Sequence, residues 1–207
     1  MSGAGRVHVA AGYAHRESVL DALPGLDASR FIGEPFPRNT APCIGLAALR
    51  LMSADPESVM VVSPADHVYT NPDALTRTLE IAVAASRDGD PLVTLGIRPS
   101  RPETGYGYIE LEESGAGDPE ARPLRVRRFV EKPDAAAARE YLAGGRHLWN
   151  SGVFIWRTRA ILRALEAWPR RSGPACDRSD PRWEATTRSV SSARRSHRSP
   201  RSRSTTR

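Results

Sequence analysis

The chain has 207 residues, with 40% hydrophobic, 26% charged and 6% aromatic side chains, enough for one globular domain and too balanced for wholesale disorder. Collagen-like, coiled-coil and disulfide-scaffold compositions are excluded. The formal charge of +6 is unevenly placed: Pro169 to Arg207 carries 11 Arg against Asp177, Asp180 and Glu184, whereas residues 1–168 hold 19 basic and 21 acidic side chains. The body is slightly acidic, so only the tail points toward nucleic acid.

Cys43 and Cys176 lie far apart, with no second Cys or His at ligand spacing. Zinc and disulfide frameworks are therefore not expected, and two isolated thiols suit a reducing compartment. No apolar run approaches the roughly 18 to 20 residues of a membrane span, and the start lacks a basic flank followed by an apolar block. The expected location is cytoplasmic, with no membrane partner. Arginine outnumbers lysine 29 to 1, the single lysine being Lys132.

In chain order, Val7 to Ala10 reads as a short strand and Ala14 to Leu23 as a helix stopped by Pro24-Gly25. Phe31-Ile32-Gly33 leads into a proline-rich loop, Glu34 to Thr40. Thr40 and Pro42 open a helix whose Ile44, Ala47, Ala48 and Leu51 form a buried stripe. Ser58 to Ser63 is a continuous apolar run, as in a parallel strand covered on both faces. Asn71-Pro72 caps a helix with Leu75, Leu79, Ala82 and Val83 inward, ended by Asp88-Gly89, and Leu92 to Ile97 is a second apolar strand. The alternation of strand, helix and strand predicts an α/β sheet with crossover helices. Tyr106 to Leu111 and Leu124 to Val130 predict an antiparallel excursion. Asp134 caps a helix that ends at Gly144-Gly145. Val153 to Trp156 is a strand, and Thr158 starts a last helix closed by Trp168-Pro169. Beyond it, the final 39 residues hold 11 Arg and 9 Ser with no apolar period, a composition expected to be disordered.

Several short runs carry candidate chemistry. Asp66, in Pro64-Ala-Asp-His67 after an apolar strand, places a carboxylate where a sheet's ligands bind and where Mg²⁺ can be held; the alternative is a turn-forming aspartate, and His67 reads as structural. In Arg101-Pro-Glu-Thr-Gly-Tyr-Gly-Tyr-Ile109, Gly105 and Gly107 permit close approach to the main chain, against an ordinary turn with Tyr106 and Tyr108 as packing residues. In Glu131-Lys132-Pro133, a carboxylate suits a diol and an ammonium suits a phosphate, against a surface ion pair. Asn150, in Trp149-Asn-Ser-Gly152, offers an amide or forms a turn. Asn39 and Thr40 stand at a helix start, fit for an anion or a base edge or for a simple cap. No Gly-x-Ser-x-Gly, P-loop or His-Glu-x-x-His occurs.

Taken together and in this order, Glu34-Pro-x-x-x-Asn39-Thr-Ala-Pro42, Pro64-Ala-Asp-His67, the Arg101 to Ile109 run, Phe129-Val-Glu-Lys-Pro133 and Trp149-Asn-Ser-Gly-Val-Phe154 resemble the mannose-1-phosphate guanylyltransferases of the sugar nucleotidyltransferase family. The resemblance implies a doubly wound, Rossmann-like α/β fold, mostly parallel with an antiparallel excursion. It also implies transfer from GTP to mannose 1-phosphate, giving GDP-mannose and pyrophosphate. By the same resemblance Asp66 binds Mg²⁺, Asn39 and Thr40 lie near guanine, Gly107 offers its amide to the sugar, Glu131 and Asn150 bind hydroxyls, and Lys132 faces the sugar phosphate.

Two departures from the family pattern qualify that expectation. Gly3-Ala-Gly5-Arg6 is followed by Val7-His-Val-Ala and does not read as the family's Gly-x-Gly-x-Arg loop. The Arg/Ser text after Pro169 reads like a shifted frame. The sequence thus predicts an incomplete nucleotidyltransferase domain over residues 1–168, a disordered tail over 169–207, and impaired or lost transfer. The alternative function is nonspecific nucleic-acid binding by the tail; a specific nucleic-acid partner is not expected.

Overall fold

A computed structural model describes residues 6–34, 40–112 and 123–171. The chain divides into two compact units, Met1–Glu57 with Ile161–Arg207, and Ser58–Ala160. Most of the expected tail lies outside the described residues.

In the first unit, β1 (Val9–Gly12) pairs in parallel with β2 (Phe31–Glu34). The intervening helix begins as a 3-10 turn over Tyr13–His15, continues as α1 (Arg16–Ala22), and stops where Leu23 leaves helical geometry. Phe31–Gly33, expected only to lead into a loop, forms a strand because Phe31 and Ile32 are buried and their backbone finds a partner in β1. Helix α2 (Thr40–Ala54) buries Ile44, Gly45 and Ala48. A Cβ on Gly45 would stand 3.2 Å from Leu165 of α5 (Thr158–Arg171). Helix α5 runs to Arg171 rather than ending at Trp168.

The second unit contains β3 (Val59–Val62), α3 (Pro72–Ser86), β4 (Val93–Ile97), β5 (Tyr108–Leu111), β6 (Val126–Val130), α4 (Ala135–Gly144) and β7 (His147–Arg157). The mixed α/β class is as expected, but antiparallel pairing is far more extensive than an excursion. β7 inserts between β3 and β4 and pairs antiparallel with both, with Ile155 opposite Val61 on one edge and Val93 on the other. β3 and β4 therefore run in one direction without touching as partners. The parallel pairing among the described residues is β1 with β2. Nor is β3 covered on both faces, since Val61 is 47% exposed.

Alternation along β7 buries Trp149, Ser151, Val153 and Ile155 on one face. Val153 and Ile155 pack with Ala82, Leu79 and Val83 of α3 and with Val59, Val93 and Leu95, so the stripe read from the helix is its core face. Both helix caps form as read: Asn71 accepts from the Ala74 amide at 3.0 Å. Asp134 accepts from the Ala136 and Ala137 amides at 3.0 and 2.8 Å. Gly145, at φ +66°, ends α4 in the left-handed conformation that glycine tolerates.

Glu110 of β5 is buried, with Arg127 Nη1 donating to it at 3.0 Å and Arg128 Nε donating to its other oxygen. The Arg128 bond, opposed by burial, holds the Glu110 carboxyl below its ordinary range. Nearby, His147 stacks on Tyr141 with ring centroids 3.9 Å apart, and burial lowers its pKa. Among the described residues no helix is long and apolar enough to cross a membrane.

Two outcomes follow from these contacts. Asp134→Ala is expected to cost about 1 kcal/mol, measured as a lower urea midpoint. Because the folded Glu110 carboxyl titrates below its ordinary 4.5, its contribution is complete above that pH and is lost as the pH falls through the lowered value. The urea midpoint of the native chain should therefore drop in acid, and Glu110→Gln should flatten that part of the profile.

Candidate functional site

The pairing of β7 creates a gap in the second unit's sheet. β3 ends at Val62 opposite Phe154, and β5 begins at Tyr108 opposite Trp149. Trp149 also pairs with Ile97 of β4, so β3 and β5 lie along the same edge of β7, opposite β4. Both run antiparallel to β7, which makes them collinear, with the carboxyl end of β3 facing the amino end of β5. At about 3.3 Å per residue, roughly 16 Å of β7 separates the two strand ends. The loop leaving β3 and the loop entering β5 therefore both open at Asn150 to Val153.

The backbone of β7 is adapted to this opening. Gly152 has φ +71°, a conformation that costs other L residues energy. A Cβ placed there would lie 3.2 Å from Pro64 Cγ, so the β3 loop packs directly along the gap. The Gly152 amide donates to Asn150 Oδ1 at 3.1 Å and fixes the amide side chain. On the other edge Ser151 Oγ donates to the Leu95 carbonyl at 2.7 Å, which ties the kinked segment to β4. Asn-Ser-Gly, which taken alone reads more readily as a turn, is thus the interior of a strand. The local sequence around Gly152 and Pro64 does not mark this contact, although a glycine inside an apolar strand pattern signals close backbone approach.

Register then assembles the site residues. Tyr108 lies opposite Val130 on one side and Trp149 on the other, so one step back Gly107 lies between Glu131 and Asn150. The Asn150 backbone N–H donates to the Gly107 carbonyl at 2.8 Å. A Cβ on Gly107 would stand 3.2 Å from Glu131 Oε2 and 3.7 Å from Asn150 Cβ. Three of the sequence candidates therefore form one row, with Gly107 just before β5, Glu131 just after β6 and Asn150 within β7. A side chain at position 107 would push against the carboxylate beside it.

Lys132 follows Glu131 with φ +37°. The turned backbone brings Nζ to 3.9 Å from Glu131 Oε1, with both side chains mostly exposed. An exposed pair of this kind adds little to stability, and it leaves an ammonium and a carboxylate side by side and open to solvent. Asp66 sits in an exposed turn two residues beyond Pro64. No three His, Cys, Asp or Glu side chains among the described residues gather as a metal cluster. A single oxygen donor does fit Mg²⁺, which keeps several waters and is commonly held by one or two carboxylates together with substrate phosphates.

Three candidates remain. His67 Nδ1 lies 3.3 Å from Tyr69 Oη in an exposed contact, consistent with a structural role. Thr40 is exposed at the start of α2 in the other unit, and Asn39 lies outside the described residues. Asp66, Gly107, Glu131, Lys132 and Asn150 all belong to Ser58–Ala160.

Known proteins share this arrangement of sequence and fold. The nucleotidyl transferase family matches residues 2–172. The chain is 40% identical over 178 residues to the xanthan biosynthesis protein XanB of Xanthomonas campestris, covering 85% of this chain and 36% of that protein. It is 40% identical over 168 residues to the mannose-1-phosphate guanylyltransferase of Escherichia coli, covering 79% of this chain and 35% of the relative. The chain thus spans about a third of the length of these curated relatives. Among solved structures it resembles one from Thermus thermophilus described as mannose-1-phosphate geranyltransferase, with TM-score 0.66, 30% identity, and coverage of 81% of this chain and 50% of that one. A second, described as mannose-6-phosphate isomerase from Helicobacter pylori, gives TM-score 0.62 at 28% identity, covering 75% and 57%. With the family match extending over both units, the chain belongs to the nucleotidyl transferase family.

Proposed function

We propose that the row of Gly107, Glu131 and Asn150 binds the sugar of mannose 1-phosphate in a transfer from GTP. A phosphate oxygen of the sugar phosphate attacks the α-phosphorus of GTP. The bond from that phosphorus to the β-bridging oxygen breaks, and GDP-mannose and pyrophosphate result. Such chemistry asks a protein chiefly to position two anionic substrates and offset their charge. The observation that carries the reading is the convergence of a main-chain step, a carboxylate and an amide beside the gap between β3 and β5.

Each residue has a role suited to its chemistry. Glu131 accepts hydrogen bonds from sugar hydroxyls, and Asn150, its carbonyl held by Gly152, turns its NH₂ toward the sugar. The main chain at Gly107 stays open to the ligand because no Cβ intervenes. Lys132 supplies a point charge for the phosphate, beside the carboxylate that orients the hexose. Asp66 would hold Mg²⁺, which when bound offsets the charge on the leaving pyrophosphate. Guanine preference is supported by Asn39-Thr-Ala-Pro42 and by the relatives named as guanylyltransferases. Both substrates are soluble, and the proposed location is the cytoplasm.

Binding can be tested apart from turnover. In calorimetric titrations with mannose 1-phosphate, Glu131→Ala should weaken binding about tenfold or more, the loss of a charged hydrogen bond. Heats equal to those of the native chain would dismiss the sugar site. Lys132→Ala should weaken mannose 1-phosphate binding and leave free mannose unaffected. Pyrophosphate release from GTP reads the transfer step. Asp66→Asn should abolish the Mg²⁺ dependence of whatever release is measured while sparing metal-free binding of the sugar phosphate.

A further inference from the structure

The segment from Arg101 to Gly107 is folded around one side chain. Glu103 Oε1 accepts from the amides of Thr104 and Gly105, both at 3.0 Å. Glu103 Oε2 accepts from Arg101 Nε at 3.1 Å and Nη2 at 2.9 Å. Its own carbonyl accepts from the hydroxyl of the buried Tyr108 at 2.8 Å, and its amide donates to the Arg101 carbonyl at 3.0 Å. The carboxyl is held below its ordinary range, first by the Gly105 amide and then by Arg101. These partners all lie outside the row formed by Gly107, Glu131 and Asn150.

Its two arms nevertheless reach Trp149, the residue before Asn150. The Arg101 guanidinium lies 5.4 Å from the centre of the Trp149 ring. Tyr106, one residue past the amide that Glu103 holds, packs edge-on against the same ring at 5.4 Å. Among the described residues the buried Trp149 indole N–H has no hydrogen-bond partner, so the ring is located by packing rather than by a bond of its own. The chain then passes from Tyr106 to Gly107, whose carbonyl receives the Asn150 amide. One carboxylate thus governs both sides of that bond, the loop that presents Gly107 and the aromatic clamp next to Asn150.

We infer that Glu103 is a positioning residue that sets the spacing of Gly107 and Asn150 through the Arg101–Trp149–Tyr106 clamp. Its consequence for substrate rests on the sugar-binding reading above. Displacements of about 1 Å at a binding group are enough to cost large factors in rate or affinity, and the Glu103 carboxylate is the hub by which this loop holds its shape.

The test compares Glu103→Ala and Glu103→Gln with the native full-length chain. Glutamine keeps an oxygen acceptor for the two amides and loses the ion pair with Arg101, whereas alanine loses both. Amide hydrogen exchange in the unliganded protein should be accelerated about tenfold at Asn150 in Glu103→Ala, less in Glu103→Gln, and little at Ile155 farther along β7. Unchanged exchange at Asn150 would overturn the inference. Equal acceleration at Asn150 and Ile155 would overturn it as well, because it would mean only a general loss of stability. Titration with mannose 1-phosphate is the second arm. Binding should weaken about tenfold in Glu103→Ala with the melting temperature nearly unchanged. If the exchange result holds but Glu131→Ala leaves binding intact, the sugar-site reading fails and the positioning role stands.

Discussion

The geometry of the candidate site depends on the double pairing of Tyr108, opposite Val130 on one side and Trp149 on the other. Strand register is all-or-none in this respect. A slip of one residue turns every side chain to the opposite face, and it would part Gly107 from both Glu131 and Asn150. The pairing is secured by burial, since all four residues of β5 are buried. The Tyr108 hydroxyl bond to Glu103 and the packing of its ring on Tyr141 hold the strand end that borders the gap.

The opening between β3 and β5 is a direct result of one strand being longer than its neighbours. β7 spans eleven residues, and the shorter strands β3 and β5 pair with its two ends on the same edge. The segment left between them bends at Gly152 and receives Pro64, so the polar loops of two different strands meet on a backbone held from behind by Ser151 and Thr94. Placing polar loops on rigid strands gives the site its definition, since loops alone sample many geometries. The charged side chains of Glu131 and Lys132 stay mostly exposed at the rim.

The unit bearing these residues also contains a buried carboxylate. Glu110 lies three residues from Gly107 but faces Arg127 and Arg128 rather than the gap. It ties β5 to the exposed β6, whose next residue is Glu131. The stability of that edge and the position of the Glu131 carboxylate are therefore mechanically linked, although different side chains serve each.

Local features of this protein were legible in its sequence. The caps at Asn71 and Asp134, the helical stripe through Leu79, Ala82 and Val83, the glycine stop at Gly145 and the ordered motifs all depend on neighbours a few residues apart, which periodicity and composition record directly. The motifs named Gly107, Glu131, Lys132 and Asn150 without showing how they meet. Tertiary structure decided that β7 enters between β3 and β4, that Asn-Ser-Gly is strand rather than turn, and that Glu103 organises a loop whose glycines are its visible signal in the sequence. Such outcomes rest on hydrogen bonds between residues far apart in the chain, as between Asn150 and Gly107. Local sequence restricts which strands can form, whereas pairing partners and register are selected by burial over the whole sheet.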